Sequence, residues 1–491
     1  MTSAASPARE ESGAQFWCDS MSPGGPMTAF DTRRIEDLQE RLDGEVCLPG
    51  SEGYDQACAI WNGAITRRPS VAVRCTTPED VAAALAFARE SGLEVSVRAG
   101  GHGFSGNALT DGGVTIDLSL MRNISVNALD KRATVGGGVT WAELDAATQE
   151  SGLAVPGGFI SHTGVAGLTL GGGLGWLSRT AGLSCDNLIE AQVVTADGRV
   201  LTVSGDSHPD LFWALRGGGG NFGVVTSFTF RLVPVGPMVS LAMLFVGLED
   251  GAHLLRLARD LTRDLPDDVA AFVGGLNAPP EAFVPPEVQL TPGYALALVG
   301  LGDEAVHAKI VERARGALDP LFELVTPMPY VALQQMFDGS APWGILAYEK
   351  AVHLEELTDE VIDIITTHVP RKASPLSFMP IFCLGGAYAR VPEDATAFGG
   401  SRSTRFVVNL AAIAPTPDLL AADTAWAREL WAALVPHAEG IGGYVNFMTD
   451  ADEARVRAAY GEAKYDRLAA IKAAYDPGNA FHLNANIRPA P

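Results

Sequence analysis

At 491 residues and 47% apolar composition the chain can bury a large core, and its length fits a mixed α/β protein organised in two lobes. A net charge of −23, with no stripe of Lys and Arg, argues against a nucleic-acid binder, whose phosphate contacts need clustered cations. No apolar run reaches the ~20 residues of a membrane span, and neither the histidines nor the scattered cysteines (Cys18, Cys47, Cys58, Cys75, Cys185, Cys383) show metal-site or disulfide spacing, so buried reduced thiols and no metal are expected.

Residues 1–30 are rich in Ser, Pro and Gly and lack an apolar h-region, which predicts a disordered tail rather than a signal peptide, in a cytoplasmic protein. From Val71 the strand and helix signals alternate. Val71–Cys75 reads as a strand. Thr77 then supplies an N-cap, Pro78 a first-turn proline, and Glu79 and Asp80 acids suited to the helix dipole, for a helix that Gly92 stops. Glu94–Arg98 is a strand pointing into a glycine cluster, and Thr140 with Glu143 forms a capping box for a helix ending near Gly152. Ala191–Thr195 and Arg199–Val203, joined through Asp197-Gly198, carry the signal of a two-residue hairpin, and Val224 to Leu232 alternate along one strand face. After Pro237 the glycine distribution changes. Residues 238–440 mix helical stretches (Leu254–Leu265, Asp303–Leu318, Thr424–Leu434) with strands such as Ala295–Leu301 and Phe406–Ala412, as a second lobe would. Residues 441–491, with a helix over Tyr465–Tyr475, are expected to return to the first lobe.

Three glycine clusters mark the first lobe: Gly100 to Gly106, Gly157-Gly158 through Gly171-Gly172-Gly173-Leu174-Gly175, and Gly217 to Gly223. Glycine lets peptide N–H groups approach a pyrophosphate without side-chain bulk. One such cluster would be an ordinary tight turn; three together point to a large anionic cofactor. Gly101, Gly103 and Gly106 satisfy the dinucleotide fingerprint GxGxxG, but Asn107 to Gly113 is no helix and cannot receive the phosphates, so a Rossmann site is rejected.

These loops resemble those of the FAD-linked oxidases of the vanillyl-alcohol-oxidase type that include berberine bridge enzyme and 6-hydroxy-D-nicotine oxidase. The resemblance runs from about Tyr54 to Pro489 through Arg98–Gly106, Asp111–Ser119, His162–Trp176, Gly182–Asn187, Asp210–Val224, Tyr475–Phe481 and Asn484–Ile487. It implies a two-lobed α+β fold: a PCMH-type FAD-binding domain over residues 31–237, a substrate domain over 238–440 with an antiparallel sheet flanked by helices, and a C-terminal segment, 441–491, returning to the FAD domain. It also implies FAD held by Arg98, Ala99, Gly100, Gly101, Gly103, Ser105 and Gly106 of the first loop. Gly158, His162, Thr163, Gly164, Gly167, Leu168, Gly171, Gly172, Gly173, Gly175 and Trp176 of the second cluster would join them. So would Asp186, Asn187, Gly220, Asn221, Gly223, Val224, Val225, Asn484 and Asn486. In the family the loop histidine bonds to the 8α carbon of the flavin, which assigns the tether to His102. Relatives with a second bond carry a cysteine where Ile160 stands, and Cys185 lies downstream of that place, so a single tether is expected.

Oxidation of a C–H beside oxygen or nitrogen needs hydride transfer to flavin N5 and removal of a proton. The family's C-terminal YxN(Y/F) element falls on Tyr444-Val445-Asn446-Phe447, which makes Tyr444 the expected base or orienter, a flavin-packing core tyrosine being the alternative. Tyr388 is a second candidate, on a stretch read as a strand with Phe382, Leu384, Gly386 and Arg390 on one face; an ordinary strand tyrosine is equally open. Pro380 stands where several relatives place a polar or acidic side chain, so no base comes from that position. Thr163, modest in size beside the flavin's oxygen-reactive edge, favours an oxidase that converts dioxygen to hydrogen peroxide. The expected partners are dioxygen and a small secondary-metabolite-like alcohol, hemiacetal or amine, in a monomer or homodimer. Ile60–Gly63, Gly385–Val391 and Gly443–Met448 also resemble the polyketide-oxidising enzymes of antibiotic (enterocin) biosynthesis, which opens an oxygenase or oxidative-cyclase reading. A catalytically silent FAD-sequestering protein is the reading of another class.

Overall fold

The computed structural model describes residues 32–438, 443–450 and 452–491; the tail of residues 1–30 and the 440/441 boundary lie outside them. The first lobe opens with a four-stranded sheet of β1 (Glu45–Cys47), β2 (Val71–Arg74), β3 (Val95–Arg98) and β4 (Val114–Asp117) in the order β1-β2-β4-β3. β2 and β3 both run parallel to β4. The crossover between them is the helix Pro78–Ser91, closed at both ends as its sequence demands: Thr77 Oγ1 accepts from the Asp80 amide, the Asp80 carboxylate accepts from the Thr77 amide, and Gly92 turns out of the helix at φ +64°. Its Val81, Ala84, Leu85 and Ala88 stripe is buried against Val71, Val73 and Ile116, where each Val or Leu contributes about 1.5–3 kcal/mol.

A five-stranded antiparallel sheet follows: β5 (Ile124–Asn127), β6 (Arg132–Gly136), β7 (Leu188–Val194), β8 (Val200–Ser204) and β9 (Val224–Arg231), in the order β5-β6-β9-β7-β8. The helix Trp141–Gln149 starts at the expected capping residue, with the Thr140 amide and hydroxyl both donating to the Glu143 carboxylate. The β7–β8 hairpin forms where its signal lies, but its turn holds three residues rather than two. The Thr195 amide donates to the Arg199 carbonyl across Ala196-Asp197-Gly198, and Gly198 takes the left-handed position at φ +89°.

The second lobe is built on seven antiparallel strands: β10 (Met238–Gly247), β11 (Val269–Asn277), β12 (Pro292–Gly300), β13 (Phe322–Pro329), β14 (Leu346–Leu354), β15 (Met379–Cys383) and β16 (Phe406–Ala414). Their order is β13-β10-β12-β11-β15-β16-β14. The helices Gly251–Thr262, Glu304–Arg315, Asp359–His368 and Pro417–Leu434 cover one face, burying Leu254, Val311, Ile362 and Trp426 against it. The other face, through Leu241, Phe272, Ala351, Phe382 and Val407, meets Leu174, Trp176 and Tyr444 beside the second glycine cluster. The candidate site lies along this contact between lobes. The C-terminal helix Glu462–Tyr475 packs Leu468 against Trp213 and Phe222, and Lys472 donates to the Asn221 carbonyl (2.6 Å) and to Asp476 (2.6 Å).

One expected element fails. The stretch Phe382–Arg390 is not a continuous strand: β15 stops at Cys383, Gly385 and Gly386 take positive φ (+129° and +57°), and Ala387–Arg390 is a short helix. Phe382, Leu384, Gly386, Tyr388 and Arg390 therefore do not share a strand face. A Cβ at Gly385 would sit 2.6 Å from Arg179 Nη1, so this glycine makes room for a buried arginine rather than for a substrate.

Candidate active site

β3 delivers the chain into the first glycine loop, and Arg98 anchors the junction. Its guanidinium donates to Asp117 Oδ1 (2.7 Å) and to the Ala59 carbonyl (2.6 Å), which braces the loop. Beyond Ala99 the chain leaves all regular structure, and the peptide N–H groups of residues 100–105 donate to no protein acceptor. Gly100 crosses Gly164 backbone to backbone, where a Cβ would lie 2.3 Å from the Gly164 nitrogen. A Cβ on Gly103 or Gly167 would instead meet nothing within 4 Å. Consecutive free amides on a glycine loop with open space in front of them form a nest for a pyrophosphate. The side-chain oxygen Oδ1 of Asn486 is buried without a protein partner, a further orphan on the first lobe. These features fit a flavin dinucleotide.

At the rim of this nest stand two imidazoles. His102 Nε2 lies 2.6 Å from His162 Nδ1, and the His102 ring stacks on Trp61 (5.4 Å, 17°) and meets Trp343 edge-on (5.6 Å). Burial, then the neighbouring His162, pushes the His102 imidazole down to about 3. His102 is thus neutral at physiological pH, with a lone pair for bond formation, and its Nε2 shares a hydrogen bond with His162 Nδ1. The preceding residue, Ser161, is clamped by Asp338, whose carboxylate accepts from its amide (2.8 Å) and its hydroxyl (2.6 Å). Thr163 is held by its own backbone, accepting from the Trp141 amide at 3.0 Å. Ile160 packs with Phe104 and Trp61 in the same cluster, and no sulfur takes its place.

The second cluster divides in function. Gly158 faces Leu168, Gly175 crosses the Gly157 carbonyl and Gly173 lies against Ser184, while Gly171 and Gly172 make room for the C-terminal YxN element. A Cβ on Gly171 would strike Asn446 and one on Gly172 would strike Phe398 and Tyr444. Tyr444 Oη accepts from the Gly173 amide (2.7 Å), Asn446 Nδ2 (2.9 Å) and, at longer range, the Leu174 amide (3.3 Å). Burial nevertheless raises its phenol far above 10, these donors opposing, so Tyr444 holds its proton at neutral pH. Trp176 is buried with its indole N–H unpartnered, edge-on to Phe159 at 4.9 Å.

Several other expected contacts are engaged within the protein. Asp186 forms a buried bidentate pair with Arg402 (2.7 and 2.9 Å), and Asn187 donates to the Ala181 and Leu183 carbonyls. Asn221 ties the third cluster to the C-terminus through Gly218, Ala485 and Ile487, and Asn484 donates to the Gly220 carbonyl. Gly223 sits against Val194, and Val224 and Val225 pair with β7. These residues shape the walls. Tyr388 is buried with its hydroxyl donating to the Ser401 carbonyl (2.6 Å) under the Arg402 guanidinium, and its phenol is separated from Tyr444 by the Phe398 ring.

Two residues beside this histidine pair were not among the expected site residues: Trp61, stacked on His102, and Asp338, which holds Ser161. Trp61 lay inside a quoted motif, but nothing local announced its stacking partner.

A sheet-backed cleft, an amide nest and a neutral histidine at its rim define an FAD-binding oxidoreductase fold. Comparison with known proteins places it further. The FAD binding domain model matches residues 69–204 and the model described as berberine and berberine like matches 443–488. An FAD-linked oxidoreductase of Dictyostelium discoideum is 30% identical over 93% of this chain and 97% of its own. (R)-6-hydroxynicotine oxidase of Paenarthrobacter nicotinovorans is 31% identical over 91% and 97%. The crystal structure of 6-hydroxy-D-nicotine oxidase from Arthrobacter nicotinovorans superimposes with a TM-score of 0.81 at 29% identity, covering 91% of this chain and 98% of that one. The chain belongs to the FAD-linked oxidoreductases of the berberine-bridge-enzyme type.

Proposed function

We propose that this protein is an FAD-dependent oxidase whose flavin is covalently held by His102 and which oxidises an alcohol, hemiacetal or amine carbon of a secondary-metabolite-like substrate, with dioxygen as electron acceptor. The observation that carries the reading is the neutral His102 imidazole, oriented by His162 at 2.6 Å, at the mouth of a loop whose amides have no protein acceptor. FAD supplies the two-electron chemistry when bound. Residues 99–106 would hold its phosphates, with Arg98 bracing that loop from β3; His102 would fix its position; Tyr444 and Asn446 seat the second glycine cluster and would offer the substrate a hydrogen bond. The lobe contact, lined by Phe159, Phe382 and Phe447, excludes water from the reacting carbon.

The test is direct. Acid-precipitated protein should remain yellow, and the tryptic peptide bearing His102 should be heavier by one FAD less two hydrogens; His102→Ala should release all flavin. Colourless precipitated wild-type protein, expressed with ample riboflavin, refutes the tether. Peroxide released one per substrate oxidised marks the oxidase. An oxygen atom found in product would favour the oxygenase reading, which draws its support from the motifs at Ile60–Gly63, Gly385–Val391 and Gly443–Met448 alone. A yellow protein that no substrate panel bleaches anaerobically would be a flavin-sequestering protein.

A further inference from the structure

We infer that Glu349 is the proton acceptor of this site, a catalytic residue carried by the substrate lobe in place of the side chain that Pro380 cannot supply. The inference rests on the oxidoreductase reading above and names the group that completes it.

The alternation of β14 places Glu349 on the inter-lobe face. Tyr348 and Val352 turn to the helix-covered face, where they join its core, and Lys350 turns the same way, over the Trp431 ring. Ala347, Glu349 and Ala351 point the other way. The two alanines fix where along the cleft the carboxyl stands. Ala347 shares a cluster with Trp61, the ring stacked on His102, and exchanges hydrogen bonds with Asn62 (2.9 and 3.1 Å). Ala351 shares a cluster with Phe382, Trp176 and Tyr444. Glu349 therefore lies between the histidine that tethers one end of the flavin and the tyrosine at the other, over the stretch where a substrate carbon must sit.

Its chemistry suits the place. Glu349 is 1% exposed; Oε2 accepts from Asn409 Nδ2 (3.0 Å) on β16, and Oε1 is buried with no partner. A buried carboxyl oxygen left open is costly unless something fills it. Burial raises this carboxyl well above the ordinary glutamate range, the Asn409 amide opposing, which brings a proton acceptor towards working pH. Around it, β14 presents Ala347 and Ala351, β16 presents Asn409 and Ala411, and Thr449 takes its backbone N–H (3.1 Å). Lys350 pairs with Asp450, which also binds Tyr348 and Arg428, residues of the helix-covered side, and His353 stands further along the Glu349 row, buried and neutral. In the step assigned here the donor's C–H bond breaks with both electrons passing to the bound flavin. Its O–H bond breaks with the proton passing to Glu349 Oε1, and a C=O bond forms. Glu349 then releases its proton to solvent, and dioxygen takes the two electrons and two protons to become hydrogen peroxide.

The experiment compares holoprotein with Glu349→Gln, near-isosteric and able to keep the Asn409 contact, and with Asn409→Ala, which removes the one group favouring the charged carboxyl. The flavin absorption is followed across pH 5–10 without substrate, and the anaerobic bleaching rate is measured with a substrate panel. Wild type should show a one-proton spectral transition that E349Q lacks, E349Q should bleach about 10²–10⁴-fold more slowly while dithionite still reduces it normally, and N409A should move the transition to higher pH. If wild type and E349Q bleach alike, or show the same transition, Glu349 is not the base, and the oxidoreductase reading stands. If no substrate bleaches the wild type, that reading falls and takes the base with it. Should E349Q fail to fold, an N409A transition and bleaching profile that coincide with wild type overturn the assignment.

Discussion

Replacing Tyr444 by Phe removes one oxygen and leaves its donors behind. The Gly173 amide at 2.7 Å and Asn446 Nδ2 at 2.9 Å lose a close acceptor, and the Leu174 amide at 3.3 Å loses a weak one. Asn446 Nδ2 keeps the Leu168 carbonyl at 3.0 Å, so it is only partly orphaned, while the Gly173 amide loses a strong acceptor and the Leu174 amide a weak one. An unsatisfied buried donor costs about 1–3 kcal/mol, and a second, partly compensated one adds less, so Y444F should lose roughly 2–4 kcal/mol. At about 2.1 cal/mol/K per residue the unfolding entropy of a chain this size is about 1 kcal/mol per kelvin, which turns the loss into a fall of roughly 2–4 °C in melting temperature. The assay is a melt followed by flavin fluorescence and by far-UV dichroism, which also reports whether the two lobes unfold together. Because the burial-raised phenol is a donor and not a base, bleaching should slow by less than the E349Q effect and keep its pH profile. A variant melting with the wild type, or losing the pH dependence of bleaching, would refute the reasoning.

Gly175→Ala should yield no soluble protein, since its Cβ would lie 1.6 Å from the Gly157 carbonyl oxygen, whereas Gly103→Ala, with nothing within 4 Å, should fold normally and show any deficit as lost flavin per polypeptide in the absorption spectrum. His162→Ala should lower the fraction of flavin that survives acid precipitation without changing total bound flavin, since it removes the partner that orients His102. Asp145 is fully buried, its Oδ2 accepting from Gln334 (3.0 Å) and its Oδ1 orphaned, and burial pushes the carboxyl up to about 7. Between the unfolded value near 3.9 and that folded value the native state holds the extra proton, so stability falls as pH rises, by at most about 1.4 kcal/mol per unit, and levels off above the folded value. Asp145→Asn should flatten this slope, and denaturant midpoints at pH 5 and pH 8 will show it; equal slopes in both proteins would mean Asp145 is not neutral in the fold.

What the sequence made legible was local. The Thr77–Asp80 and Thr140–Glu143 caps, the Gly92 stop and the Asp197-Gly198 turn depend on neighbours within a few residues, and each stands where it was read. The amide nest was legible because glycines and a following non-helix suffice to define it. Missing from the sequence was which polar groups are already occupied. Arg98 and Asp186 read as cofactor contacts, and the sequence does not announce the protein partners they also have: Asp117 and Ala59 beside Arg98, and Arg402 from the other lobe beside Asp186. Tyr388 was misplaced because a two-residue period over Phe382–Arg390 cannot tell a strand from a strand broken by two left-handed glycines and one helical turn.

Burial raises both Tyr444 and Glu349 against opposing hydrogen bonds, but the two groups are held by different lobes. Tyr444 belongs to the flavin side: glycine-loop amides aim at its oxygen, yet burial keeps it protonated, and it moves only if the loop moves. Glu349 belongs to the sheet, held by a single amide and open at one oxygen, and nothing in the flavin loops fixes it. A change on the inter-lobe face of β14 or β16 can therefore alter which proton is taken, and from what, while His102 and its nest keep their geometry. This arrangement explains why the glycine loops are readable from spacing and the facing sheet residues are not: Ala347, Glu349 and Ala351 obey only the alternation of a strand, which many sequences satisfy.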